Sequence, residues 1–565
     1  MKTVKKTLSI ILCTILLICT FSGCSGSNKK INFLYPFSAD VNSYDPQIAG
    51  TPDEYLIIEN TFEGLIRVTP DGEVKPGVAE SWDISQDGLT YTFKLQKGVK
   101  WNIDTSLKKD GTRRKDSRLE YMGYDFNPDI TANDFVFALR RAVNKQTNSP
   151  LFSTISGIKN AAAVNSGRMK ESSLGVKALD DYTLQITLSA KNDSFMKTLS
   201  TAVAMPCNEQ FFNATKGRYG LSAEYTLFNG QFYLSQILDT SYLLKQNKQY
   251  TGPSPTAANE LTLKIINEED EQNEKTDTIT RLESGYYDAA FIEGTQTERL
   301  KKAEGITYYP YNDTTWAFLL NTNHPALKSK TIRKALCTGF TRLTDTKKEY
   351  LENAGNLIPS SCTIGANNAD KAIGKTAMTQ DIEKSKELWK SGLKFIELRK
   401  FELTVITCES MQEYVKQMLQ GIQSGIESLS VSDSGEEIGL TVKVEVMSEA
   451  DLKKAVAKKD YDIAFYPFKA KNTSALNYLQ QIAESNPTAI ETDKVKKALT
   501  RAESAGNLKS ISQNIRAAEK EIIDSCSICP MVFETSYYAS AQGVKDVQFH
   551  IGSGRVSFIY ATRED

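Results

Sequence analysis

Histidine is almost missing from this chain: His324 and His550 are the 2 present in 565 residues. They are far apart, and neither has a second ligand at helical or hairpin spacing, which excludes the usual imidazole-built metal and catalytic sites. The chain also lacks a G-x-S-x-G elbow, a phosphate loop and an H-E-x-x-H helix. Gly552-Ser553-Gly554 is too short a cluster for a dinucleotide site. Charge has no dominant sign: 68 basic against 69 acidic side chains give −1, and without residues 1–23, which hold Lys2, Lys5 and Lys6 and no acid, 65 against 69 give −4. Neither balance fits nucleic acid or an anionic membrane surface as partner. Beyond Ile18 no apolar run is long enough to cross a bilayer. Catalytic centre, metal and cofactor are therefore all expected to be absent.

With 40% hydrophobic and 24% charged residues, the composition is that of an ordinary globular chain, long enough for a large lobed body. The first 23 residues read as a signal peptide, with Lys2, Lys5 and Lys6 ahead of the apolar stretch Leu8 to Ile18. Phe21-Ser22-Gly23-Cys24 is close to the bacterial lipobox, with Phe21 departing from the usual leucine, so Cys24 is expected to carry the lipid. Residues 24–30 would be a polar tether. Six cysteines remain after it (Cys207, Cys337, Cys362, Cys408, Cys526, Cys529), too scattered for a disulfide-stapled scaffold. Cys526-Ser527-Ile528-Cys529 has redox or half-zinc spacing, but no second ligand pair exists and the motif closes a helix rather than opening one. Structural thiols or a local disulfide are expected there.

The most informative stretch runs from Phe62 to Trp101. Turns are signalled at Asp71-Gly72, Asp87-Gly88 and Lys97-Gly98, where glycine supplies positive φ. Between the last two, Thr90 to Leu95 alternates apolar and polar side chains, so the block reads as a small antiparallel sheet. Its wording, FEGL…DG…PGVAESW…DGLTYTFKLQKGVKW, followed by Thr131-Ala132-Asn133-Asp134-Phe135-Val136, resembles the oligopeptide- and dipeptide-binding family of extracytoplasmic proteins that feed ABC importers. Further matches are Gly175 to Leu188, Asn229 to Leu234, Lys245 to Tyr250, Ile332 to Leu336 and Tyr461 to Phe468. They extend the resemblance from about residue 31 to 563, weakest over 420–440. Residues 102–128, with Lys108, Lys109, Arg113, Arg114, Lys115 and Arg118, read as an insertion, either a solvated loop or a contact for the transporter or an acidic wall polymer.

The resemblance implies an α/β fold: two lobes of periplasmic-binding-protein type joined by a hinge, with an extra domain inserted in the first lobe. Carried over, residues 31–61, 206–310 and 537–565 form the first lobe, 62–205 the inserted domain and 311–536 the second lobe. It also implies ligand-facing places at Ala49, Gly50, Thr51, Leu151, Phe152, Phe468, Lys469, Ala470, Lys471 and Tyr537. Where the family has an acid that anchors a peptide's α-ammonium, this chain has Lys471, which repels a free amino terminus. Either Lys471 receives an anionic or N-blocked end, or it faces solvent and another group anchors the amine. Ala49 stands where some members have an acid, which suggests a cleft poor in carboxylates.

The expected function is that of a monomeric, lipid-anchored receptor on the outer face of a bacterial membrane. It would capture peptides and deliver them to ABC permease subunits by binding, not catalysis. Receptors for a non-peptide solute or for a signalling peptide are the alternatives.

Overall fold

Two kinds of apolar periodicity lay out the chain, alternation in strands and a 3.6-residue stripe in helices. The computed structural model describes residues 30–564 apart from 70–72, 104–115, 117, 119–125, 193–194, 254, 267–276, 345–349, 365–366, 395–399, 427–438, 471–473, 486–492, 504, 506–507 and 551–554. Cys24, most of the basic insertion and Lys471 lie outside the described residues.

From the start, β1 (Asn32–Phe37) leads to α1 (Pro52–Thr61). The hairpin β2 (Ala79–Ile84) and β3 (Thr90–Leu95) follows, and Gly88 and Gly98 adopt the positive φ expected of their turns. After α2 (Ala132–Val143) come β4 (Val176–Asp180) and β5 (Thr183–Thr187), which complete an antiparallel sheet of order β2-β3-β5-β4. Tyr91, Phe93 and Leu95 are its buried face. Next, β6 (Phe232–Leu238), β7 (Ser241–Gln246) and β8 (Glu260–Ile265) join β1 in the order β1-β8-β7-β6. There β1 runs parallel to β8, with Asn32 opposite Glu260.

Among the elements that follow are β9 (Ala289–Ile292), β10 (Thr307–Leu320), α3 (Lys330–Gly339), β11 (Lys400–Cys408), α4 (Gln412–Gly425), β12 (Gly439–Met447), β13 (Ile463–Lys469), α5 (Leu508–Asp524) and β14 (Ile528–Ser540). Their strands form one sheet in the order β9-β14-β10-β13-β11-β12, and the short strand Leu351–Asn353 also pairs with β14. β11 is parallel to β12 and β13, whereas β10 is antiparallel to both β13 and β14.

Buried apolar residues separate into two cores. One gathers residues from Phe33 to Tyr311 and again from Tyr537 to Ala561; the other gathers residues from Trp316 to Val532. The chain passes between them twice, through β10 and β14, so these long paired strands are the crossing point of a two-lobed α/β molecule. The sheet β2-β3-β5-β4 shares its buried residues with the first core. Both crossing strands are longer than the sequence suggests. Thr307-Tyr308-Tyr309-Pro310-Tyr311-Asn312 carries turn-forming residues, yet pairing with β14 from Thr307↔Ser540 onward makes it strand. Among the described residues no helix is long and apolar enough to cross a membrane.

Candidate functional site

The first group of expected ligand-facing residues sits at the start of α1. Thr51 is its N-cap: the Oγ1 accepts from the Glu54 N–H at 3.2 Å and donates to the Asp40 carbonyl at 2.6 Å. Glu54 reaches back as the acid of a capping box, accepting the N–H groups of Gly50 at 2.6 Å and Thr51 at 3.0 Å through one oxygen. Its other oxygen accepts those of Asn42 at 2.8 Å and Ser43 at 3.0 Å. One buried carboxylate thus fixes the whole turn, and the polar groups of Thr51 are engaged in it. Ala49 is buried and its carbonyl accepts the Tyr55 hydroxyl. Gly50 is exposed, but a β-carbon there would lie 3.3 Å from Pro150, so this turn abuts the segment holding buried Leu151 and half-buried Phe152.

The second group lies at the crossing. Thr314 of β10 is opposite Glu534 of β14 on one side and Lys469 of β13 on the other. Directly opposed residues share a face, so Glu534, Thr314 and Lys469 form a row across three strands. Just before Thr314 the register slips, leaving Asp313 unpaired in a bulge, a device that re-aims a side chain. Asp313 is 3% exposed; the Thr314 hydroxyl donates to its carboxylate at 2.8 Å, and the Ala470 N–H donates to its carbonyl at 2.8 Å. Glu534 accepts the Trp316 indole N–H at 2.6 Å. Burial pushes both carboxyl groups above the usual carboxylate range, and Lys469 opposes this at both. Repulsion from Glu293 adds to the rise at Glu534. The exposed Lys469 ammonium stands 4.6 Å from the centre of the Phe291 ring, a cation–π contact between strands of the two cores.

Phe468 and Ala470 are buried beside this row, and the Phe468 carbonyl accepts the Tyr478 hydroxyl at 3.1 Å. Tyr537 is a core residue on the other side of the crossing, its oxygen accepting from Thr297 at 3.2 Å. The expected site residues therefore divide: Ala49, Leu151 and Tyr537 belong to the first core with Phe152 packed against it, and Phe468 and Ala470 belong to the second. Sequence reasoning missed Asp313, Glu534 and Glu293, the carboxylates grouped around Lys469 at the crossing. The readable signal was Asn312-Asp313-Thr314-Thr315 interrupting an otherwise apolar strand.

On its other edge β13 pairs with β11 only through Ile463 and Ala464. Past Ala464 no strand runs along that edge among the described residues. A separate open hollow of about 390 Å³ lies at the far end of β13, lined by Asn321, His324, Glu445, Asp460 and Asp462 among others. Among the described residues, no group of three or more His, Cys, Asp or Glu side chains is placed to hold a metal ion.

Two lobes joined by two crossing strands, with polar groups gathered between them, are the architecture of the two-lobed solute-binding proteins. The sequence profile described as bacterial extracellular solute-binding proteins, family 5 (middle part), matches residues 73–489, and the chain belongs to that family. The oligopeptide-binding protein OppA of Bacillus subtilis (strain 168) is 24% identical over 98% of this chain and 97% of its own length. The oligopeptide-binding protein AmiA of Streptococcus pneumoniae is 29% identical over 51% of this chain, a match spanning 41% of AmiA. The solved structure of Listeria monocytogenes OppA bound to peptide shares the fold with a TM-score of 0.69 at 21% identity, covering 95% of this chain and all of that one.

Proposed function

We propose that this protein captures peptides outside the cell membrane for an ABC importer. The observation that carries the reading is the edge of β13 left without a strand partner past Ala464, which runs into the acid-bearing crossing. An extended peptide added along such an edge is held through its main chain, which tolerates many sequences. At the end of that edge, Asp313, Glu534 and Glu293 outnumber Lys469, so the crossing favours a cationic group such as a peptide's α-ammonium. Lobe closure then buries the ligand, and the closed form docks on the permease. The relatives AmiA and OppA, both oligopeptide-binding proteins, support the ligand class.

Lipid attachment at Cys24 would keep the receptor at the membrane. Cys24→Ser should release it into the soluble fraction; a variant that stays with the membrane removes the anchor from the reading.

The deciding experiment is mass spectrometry of the 25–565 fragment, native and then denatured. A mixture of short peptides with free amino termini supports peptide capture with the crossing acids as anchor. One acidic or N-blocked compound instead favours reception by Lys471, and Lys471→Asp should then weaken its binding.

A further inference from the structure

The crossing already holds a cation of its own. Lys469 ends β13, and its main chain is fixed there. Its carbonyl accepts a Gln481 side-chain N–H at 3.0 Å, and the next residue, Ala470, donates its N–H to the Asp313 carbonyl. The Lys469 side chain is exposed, so its ammonium moves on a four-carbon stem from an anchored root. That stem leaves the second lobe and sets the ammonium over Phe291, a residue of β9 packed against the first core.

Phe291 belongs to a cluster of rings. Its centre is 6.0 Å from those of Tyr311 and Tyr538, which stack with centres 4.7 Å apart and planes 15° from parallel. Tyr311 shares β10 with Asp313, and Tyr538 shares β14 with Glu534, so rings and carboxylates ride on the same strands. Lys469 reaches both kinds of group. Its ammonium stands over the ring, and against the burial that raises both carboxyl groups its charge favours their ionised forms. An aromatic face beside carboxylates suits a partly desolvated ammonium. A lysine side chain and a peptide's amino terminus present the same primary ammonium to such a place. Both cannot occupy it together, because like charges in contact repel.

We propose that Lys469 is an internal stand-in for the ligand: its ammonium holds the cation place at Phe291 while the cleft is empty, and an incoming peptide's amino terminus takes that place by displacing it. The proposal rests on peptide capture at the crossing. Lys469 then sets specificity, because a neutral or blocked end has nothing to exchange for the lysine and leaves it over the ring. It also bridges the lobes, so its release trades an internal link between them for one made through the ligand.

The test compares the purified protein, emptied by unfolding and refolding, with Lys469→Met, which keeps most of the stem and removes the charge. Both are titrated with a mixed-sequence tetrapeptide library, once with free and once with acetylated amino termini, and captured peptide is measured by mass spectrometry. Lys469→Met should hold the free-amine library about 3- to 10-fold more tightly, with no matching gain for the acetylated one. An unchanged or weaker hold on free amines, or an equal gain for acetylated peptides, overturns the proposal and leaves peptide capture standing. Capture of neither library by either protein removes the peptide reading and the proposal together. Should Lys469→Met fail to fold, the unsubstituted protein decides through NMR of its 13C-methylated lysines, with the Lys469 signal assigned through Lys469→Arg. That signal should be shifted by the Phe291 ring in the empty protein and return to the ordinary lysine position when the free-amine library binds. A signal unshifted when empty, or still shifted with peptide bound, overturns the displacement.

Discussion

His550 is packed against Glu59 and Arg555, its Nε2 3.7 Å from a Glu59 oxygen, and Arg555 in turn bonds Glu59 at 2.8 Å. Burial and then the Arg555 charge depress its pKa to about 4, with Glu59 only partly opposing them. Because the folded value lies below the ordinary one, the unfolded chain binds a proton between about pH 6.5 and 4 that the native state refuses. Stability therefore falls as pH drops through that window, by up to about 3 kcal/mol from this site. With 2 histidines in the chain, NMR can follow both imidazoles directly, and a His550 signal titrating near 6.5 would refute the assignment. The same scale holds the ligand prediction. Asp313→Asn should weaken free-amine peptides about 10- to 100-fold, roughly 1.4 to 2.8 kcal/mol, and leave N-acetylated ones unchanged in calorimetric titration. Equal losses for both would take Asp313 out of the anchor.

At the scale of elements, helix α4 shows how packing reverses a local rule. Gly421 sits in mid-helix, where alanine would ordinarily stabilise by about 1 kcal/mol. Here its added methyl would meet the carbonyl of Gly339 at the end of α3, only 2.2 Å away, with Ile382 at 2.8 Å. Gly421→Ala should therefore destabilise by about 1 to 3 kcal/mol in chemical denaturation, and a gain in stability would contradict the close approach. The elements themselves were largely legible. Strand alternation placed β3, and the family resemblance marked Thr131 to Val136, where α2 begins and the Asp134 carboxylate accepts the Thr131 N–H at 2.7 Å. The crossing strands were half legible, because Pro310, Asn312 and Asp313 argue for a turn and only pairing across the sheet overrides them. The site was legible least. Strand order alone brings Lys469, Thr314 and Glu534 into one row, and nothing in their spacing of 155 and 220 residues along the chain announces it.

At the scale of the molecule, the proposed reading makes ligand binding and closure of the two cores one event. A peptide at 100 times its Kd should raise the free energy of unfolding by about 2.7 kcal/mol, visible as a higher Tm. Since the Trp316 indole donates to Glu534 inside the crossing, the same titration should shift tryptophan emission, and Trp316→Phe should abolish most of that shift. A Tm that rises without any change in emission would place the ligand away from the crossing.

The way the first lobe is stitched together also bears on the order in which it can be made. Its β1 needs β8, more than two hundred residues later, and Asn60 donates to the Val556 carbonyl at 2.7 Å. Arg563 closes the circle by pairing with Asp288. A ribosome or an export channel delivering the chain from its amino end supplies every residue of the second core before the last pieces of the first. The half that begins earliest is thus completed last, and the nascent chain stays without a finished first lobe, and so without a closable receptor, until almost all of it has emerged.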